Sequence, residues 1–292
     1  MKKYKYIKVN AFTSGESLGN PAVFIDLGKD TLESEEMLQI AKEHKGFVSE
    51  VIFITRVSNR IKLTYYSSEC EVSFCGHGTI ATMYELIQSD PELMNQDEFQ
   101  IETNKKGILT VFNNIPSDDA IFITAPDAVF YGSEIPRKEI ANRLGIKESV
   151  IYEQYPIDII DAGLRTLIVP INDFENEIMI YPVKEVLEDF CITKQIDIVL
   201  IFSKKTSNSK CFAHTRVFAP KFGYLEDPAT GSGNSAFGNY LVKNKLWNGE
   251  IITIEQGGDK IVFNEVKLLN KNSKILFGGK ATKIIDGTYY LK

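Results

Sequence analysis

A six-residue pattern occurs twice in the chain, at an offset close to half of its 292 residues. Gly76-His77-Gly78-Thr79-Ile80-Ala81 and Gly231-Ser232-Gly233-Asn234-Ser235-Ala236 both read G-x-G-x-x-A. Each is followed by leucine at the same later position (Leu86, Leu241) and preceded by glutamate at the same distance (Glu71, Glu226). Solenoid repeats run about 20–50 residues, so a period this long marks a duplicated domain. Each half must then supply strands, a glycine loop and a small-residue helix suited to burial inside a sheet.

The rest of the chain fits that plan. Tyr4–Phe12, Ala22–Ile25, Val51–Thr55, Ile61–Tyr66, Phe99–Thr103 and Gly107–Phe112 are short, β-branched or aromatic, and bounded by turn residues, as strands are. In the second half the same texture marks Ala120–Thr124, Val150–Tyr152, Thr166–Val169, Ile196–Phe202, Cys211–Phe218, Ile251–Glu255, Lys260–Phe263, Ile275–Phe277 and Thr288–Leu291. Helices are fewer: Ser34–His44, with Ser34 as its cap and Glu35 and Glu36 at its positive end, then Arg137–Leu144 and Lys184–Phe190. Asn114-Ile115-Pro116-Ser117-Asp118-Asp119 is rich in turn formers and reads as the linker. The expected domains are 1–115, completed by a last strand at about 280–292, and 118–278.

Composition narrows the function. Hydrophobic residues at 43% and charged residues at 25% describe a globular chain. A net charge of −6 argues against nucleic acid or an anionic membrane as partner. No apolar region follows the basic start, and no run reaches bilayer length, so a cytoplasmic protein is expected. The four cysteines lack CxxC spacing and the three histidines are scattered, which predicts free thiols and no metal site.

A glycine loop opening a helix can hold a phosphate, but a dinucleotide fold places it in the first βα turn. Here antiparallel-looking hairpins flank both loops. Each loop taken alone is equally consistent with tight entry into a buried helix. If the two halves face each other, however, two helix amino termini offer N–H groups and positive partial charge to a carboxylate or an enolate, with no cofactor.

Several motifs resemble the PhzF-like proteins of phenazine biosynthesis. They are Gly19-Asn20-Pro21-Ala22-Val23, Ser49-Glu50-Val51-Ile52-Phe53, Phe74-Cys75-Gly76-His77, Arg216-Val217-Phe218-Ala219-Pro220, Glu226-Asp227-Pro228-Ala229-Thr230-Gly231-Ser232 and Gln256-Gly257. Their order and spacing cover almost the whole chain. The resemblance implies an α+β, diaminopimelate-epimerase-like fold. In it, two similar domains each wrap a strongly curved, mostly antiparallel sheet around a central helix, with the active site between them. It implies a cofactor-independent isomerase in which Glu50 shuttles a proton, aided by His77, Asp227 and Ser232. Asn20, Gly76, Gly78, Thr230 and Gly231 would bind a small carboxylate-bearing substrate. A homodimer follows by the same analogy.

Read locally, these residues keep plainer alternatives. Glu50 fits an exposed charge ahead of a strand, His77 and Ser232 fit helix caps, and Asp227 before Pro228 fits a turn. Two departures from the family stand out: Gly78 replaces a usual proline, and Gly258-Asp259-Lys260 replaces Arg-Pro-Ser. Cys75 occupies the place of a catalytic thiol in diaminopimelate epimerases, whose mechanism needs a second, opposed thiol. The matching residue is Thr230, whose hydroxyl is too weak an acid for that role. The remaining readings are a racemase pairing Cys75 with Glu50, and a metabolite-binding protein without turnover.

Overall fold

The computed structural model describes residues 2–57, 60–258 and 262–291. The chain divides into two compact units, Met1–Thr124 with Gly278–Lys292, and Ala125–Phe277.

In the first unit, Asn20–Gly28 runs parallel to Glu50–Val57, which pairs antiparallel with Arg60–Ser67. Arg60–Ser67 takes the two-residue strand Glu71–Val72 antiparallel and Glu98–Thr103 parallel. Glu98–Thr103 continues antiparallel to Gly107–Asn114. In the second unit, Arg165–Pro170 runs parallel to Ile198–Ser203, which pairs antiparallel with Ala213–Phe218. That strand takes Glu226–Asp227 antiparallel and Ile252–Gln256 parallel, and the ladder ends antiparallel on Asn264–Lys271. The sequence of pairings is the same in both units, so the duplication written in the glycine loops extends to the sheets. The class is α+β, with mixed sheets in which antiparallel pairs predominate.

Each unit builds its centre on its glycine-loop helix. In Gly76–Ser89 every residue from Gly78 to Ile87 is buried, and the helix touches strands of the first unit on several sides. Gly231–Lys243 is buried from Gly233 to Gly238 and packs on Asp158–Asp161, Arg165–Pro170, Ile198–Ser203 and Asn264–Lys271. A helix enclosed all round is mostly apolar or small-sided, and among the buried polar side chains here Glu85 pairs with Lys283 and Asn234 with Gln256. The opposite sheet faces carry outer helices. Ile40 and Ala41 of Ser34–Glu43 meet Val23, Ile25, Val51 and Phe53 in the first unit. In the second, Arg137–Leu144 and Lys184–Thr193 cover Leu167, Val169, Val199 and Ile201. Burial on both faces explains the unbroken apolar run Ile198-Val199-Leu200-Ile201-Phe202.

Several sequence expectations are corrected. The outer helix begins one residue after its cap, which is Glu33 and not Ser34; the Glu36 carboxylate accepts the Glu33 backbone N–H at 2.9 Å. Val150–Tyr152 is no strand: Glu148–Val150 is a 3-10 turn, and only Ile151 bridges, to Ile171. The expected strand Lys260–Phe263 lies partly outside the described residues, and the strand after it is Asn264–Lys271. The final strand runs Ala281–Leu291 along the whole of Lys2–Ala11, in keeping with the last strand expected at about 280–292 and beyond the Thr288–Leu291 pattern. Asn114–Asp119 connects two strands of the first unit, Gly107–Asn114 and Ala120–Thr124. Its turn formers close a hairpin, with Asp119 left-handed at φ 49°, and do not separate the units. No helix among the described residues is long and apolar enough to cross a membrane.

Candidate active site

In the first unit the chemistry gathers where Glu50–Val57 begins. Asn20–Gly28 and Glu50–Val57 are parallel neighbours, so their first residues, Asn20 and Glu50, lie at the same end of the sheet. Gly19, with φ +65°, turns the chain into that end, and a Cβ there would lie 2.5 Å from the Ala11 carbonyl oxygen. Asn20 is buried behind it.

The glycine-loop helix delivers the remaining groups. Cys75 caps it in an extended conformation (φ −130°, ψ 107°), and its sulfur accepts the Gly78 N–H at 3.3 Å. Gly78 must lack a side chain here, because a Cβ would meet Ile52 Cδ1 at 2.8 Å and Cys75 Sγ at 2.9 Å. His77 sits in the first turn with Nε2 3.3 Å from Glu50 Oε2 and Nδ1 3.5 Å from Cys75 Sγ. Thr79 returns its hydroxyl to the Cys75 carbonyl at 2.7 Å and meets the Tyr65 hydroxyl at 2.8 Å, which fixes the loop.

Glu50 is therefore no exposed charge: its side chain keeps 20% of its surface. Burial pushes its carboxyl up to about 7, partly offset by a hydrogen bond with the Cys75 thiol. Loss of hydration disfavours the anion, and one sulfur donor restores only part of it. Glu50, Cys75 and His77 also bring three metal-capable ligand atoms within 4.8 Å of one another. The sequence names Glu50 with His77, and Cys75 with Glu50 as a rival pairing, but expects no metal-capable group there; sheet register and not sequence proximity brings Glu50 to the helix.

The second unit holds Asp227, Thr230, Gly231 and Ser232. Thr230 caps its helix with nearly the dihedrals of Cys75 (φ −123°, ψ 110°) and donates its hydroxyl to Asp227 Oδ2 at 2.6 Å. Gly231 is forced by contact, since a Cβ would lie 2.3 Å from the Phe277 ring. Ser232 is half-buried in the first helical turn, beside Gly163. Gln256 ties this loop together. Its Oε1 accepts the Thr230 N–H at 3.0 Å and the Asn234 amide at 2.7 Å, while its Nε2 donates to the Asp227 carbonyl at 2.9 Å. The fully buried Arg216 grips Glu226 with two hydrogen bonds, of 3.0 and 2.9 Å, and donates to the carbonyls of Glu177, Ile178 and Ile180 at and just beyond the end of Phe174–Ile178. The sequence flagged Arg216 and Gln256 only as family motifs; their part is to fix the strand that carries Asp227.

Ladder register shows how the two units differ. Val72 and Asp227 are equivalent second residues of the short strands, and their partners are Tyr65 and Val217. Tyr65 faces Ile52, and Val217 faces Leu200, so Glu50 corresponds to Ile198. The Glu50, Cys75 and His77 of one unit are Ile198, Thr230 and Ser232 in the other. Only the first unit places a carboxylate at this position.

The phenazine biosynthesis-like family model matches residues 9–287. The chain belongs to that family. The chain is 31% identical to the uncharacterised isomerase YfhB of Bacillus subtilis, over 88% of this chain and 87% of that one. It is 28% identical to an uncharacterised isomerase of Clostridium acetobutylicum, over 84% and 82%. Among solved structures, a phenazine biosynthesis protein of the PhzF family from Bacillus anthracis superimposes with a TM-score of 0.86 over the full length of both chains, at 24% identity. That likeness establishes the fold of this PhzF-family chain.

Proposed function

We propose that this PhzF-family protein is an isomerase that moves a proton on a small carboxylate-bearing substrate, with Glu50 as sole acid–base group and no cofactor. The observation that carries the reading is the asymmetry of the duplication. A carboxylate with a histidine and a thiol beside it stands at one glycine loop, whereas Ile198, Thr230 and Ser232 stand at the other. A racemase needs bases on both faces of the substrate carbon; one carboxylate suits removal and return on one face. The isomerase names of the relatives support the reaction class.

The step balances with this chain's groups alone. Glu50 carboxylate takes a proton from carbon next to an electron-accepting group, and the electron pair moves into an enolate-like system. The positive end of the Gly76–Ser89 helix favours that developing charge. Glu50, now a carboxylic acid, returns the proton to another carbon of the same face. A carboxyl group near pH 7 can do both. His77 orients Glu50 through the 3.3 Å contact. Asp227 and Ser232 are assigned to substrate binding, with the Gln256 network holding Asp227.

Turnover in heavy water tests this reading. A single carboxylate that takes and returns a proton gives partial internal return, so product should carry less than one solvent deuterium. Complete deuteration accompanied by inversion at carbon would favour the two-base alternative with Cys75.

A further inference from the structure

Glu50, Cys75 and His77 offer one oxygen, one sulfur and one nitrogen from two segments far apart in sequence, and the proton shuttle does not explain the thiol. We propose that these three side chains form an inhibitory site for a thiophilic divalent cation of the Zn2+ class, which occupies the base and stops turnover. The inhibition half rests on the Glu50 reading; the binding half does not.

Geometry supports the site. With Zn–N and Zn–O near 2.0–2.2 Å and Zn–S near 2.3 Å, a tetrahedron has N···O edges of about 3.4 Å and N···S edges of about 3.6 Å. His77 Nε2 lies 3.3 Å from Glu50 Oε2 and 3.8 Å from Cys75 Sγ, close to those two edges, and all three ligand atoms lie within 4.8 Å of one another. Charge supports it as well. A thiolate and a carboxylate together neutralise a divalent ion, so binding removes the cost of a half-buried anion without adding net charge. The Gly78 N–H donated to Cys75 Sγ at 3.3 Å is the outer contact that steadies a thiolate ligand. Three protein ligands leave a fourth position for water, and the partial exposure of Glu50 and His77 (20% and 15%) gives the ion a way in. On binding, Cys75 releases its S–H proton to solvent, and no redox change is involved.

The test uses the full chain, freed of metal by chelator dialysis and titrated with Co2+, a spectroscopic stand-in for Zn2+. One equivalent should produce a thiolate-to-cobalt charge-transfer band, which Zn2+ then displaces. Cys75→Ser should abolish the band. Glu50→Gln and His77→Gln should weaken binding by more than the ~10–100-fold typical of outer contacts. Cys70→Ser, at the exposed thiol, should change nothing. Circular dichroism checks that each variant folds. Absence of the band, its survival in Cys75→Ser, or unchanged affinity in Glu50→Gln would overturn the site. Binding that leaves turnover unaffected would overturn the inhibition and count against Glu50 as base, whereas failure to bind beside an inactive Glu50→Gln would overturn the metal site alone.

Discussion

Replacing Glu50 by glutamine should make the protein more stable at pH 8 and leave its stability nearly unchanged at pH 4.5. The native carboxyl titrates near 7 because it is buried, against 4.5 for the ordinary side chain. Below 4.5 the group is protonated in native and unfolded chains alike and contributes nothing. Between 4.5 and 7 the unfolded chain ionises while the native one holds its proton, so native stability falls as pH rises. Above 7 both are ionised and the penalty is constant. A shift of this size is worth at most about 3 kcal/mol, at 1.36 kcal/mol per pH unit. Glutamine keeps the shape and carries no charge, so it removes the penalty. The assay is urea unfolding of wild type and Glu50→Gln in chelator-containing buffer at both pH values. Equal slopes are required, so that midpoints report stability. The difference between the two proteins isolates Glu50 from Glu177, whose carboxyl burial also raises. A difference that does not change with pH would mean that Glu50 ionises as in water, and the argument from burial would fail.

Two further outcomes follow from the glycine loops. Cys75→Ala should keep activity within a few-fold, measured as kcat/KM in metal-free buffer, because a one-base mechanism does not need the thiol; a fall of ~10²–10⁴ would assign Cys75 a proton-transfer role. Gly231→Ala should cost ~1–3 kcal/mol in urea unfolding, the usual penalty of overpacking, because its Cβ would lie 2.3 Å from Phe277. Phe277→Leu in the same chain should recover part of that loss, since the two sites are in contact.

The duplication was legible because the same G-x-G-x-x-A pattern opens both buried helices, where glycines sit in close contact: a Cβ on Gly78 would press on Ile52, and one on Gly231 or Gly233 would press on Phe277 or Ile198. Strands buried on both faces, such as Ile198–Ser203, were legible as apolar runs. Partly exposed strands were legible where apolar residues alternate, as in Tyr4–Phe12 and Gly107–Phe112. Where polar residues break the signal they were not: Asn264–Lys271 was missed, and the residues of Ala281–Leu291 marked only its end, although a last strand was expected at about 280–292. The Asn114–Asp119 segment misled because a hairpin and a linker use the same turn formers. At the site, sequence could name Glu50 only through resemblance. What makes it special is the parallel pairing with Asn20–Gly28, which carries it to the start of a helix encoded some 25 residues later. No local pattern records such a meeting, and the same is true of Gln256 reaching Thr230 and Asp227.

The most direct test of the central claim is the turnover of Glu50→Gln on the isomerised substrate, with an unreactive analogue used to measure binding. Glutamine preserves the side-chain volume beside His77 but cannot accept a proton. With Glu50 as sole acid–base group, kcat falls by ~10²–10⁴, the usual worth of such a group. Analogue affinity stays within a few-fold, and the ionisation near 7 disappears from the pH profile. Full activity in Glu50→Gln, with that ionisation still present, would contradict the account and move the chemistry to another group.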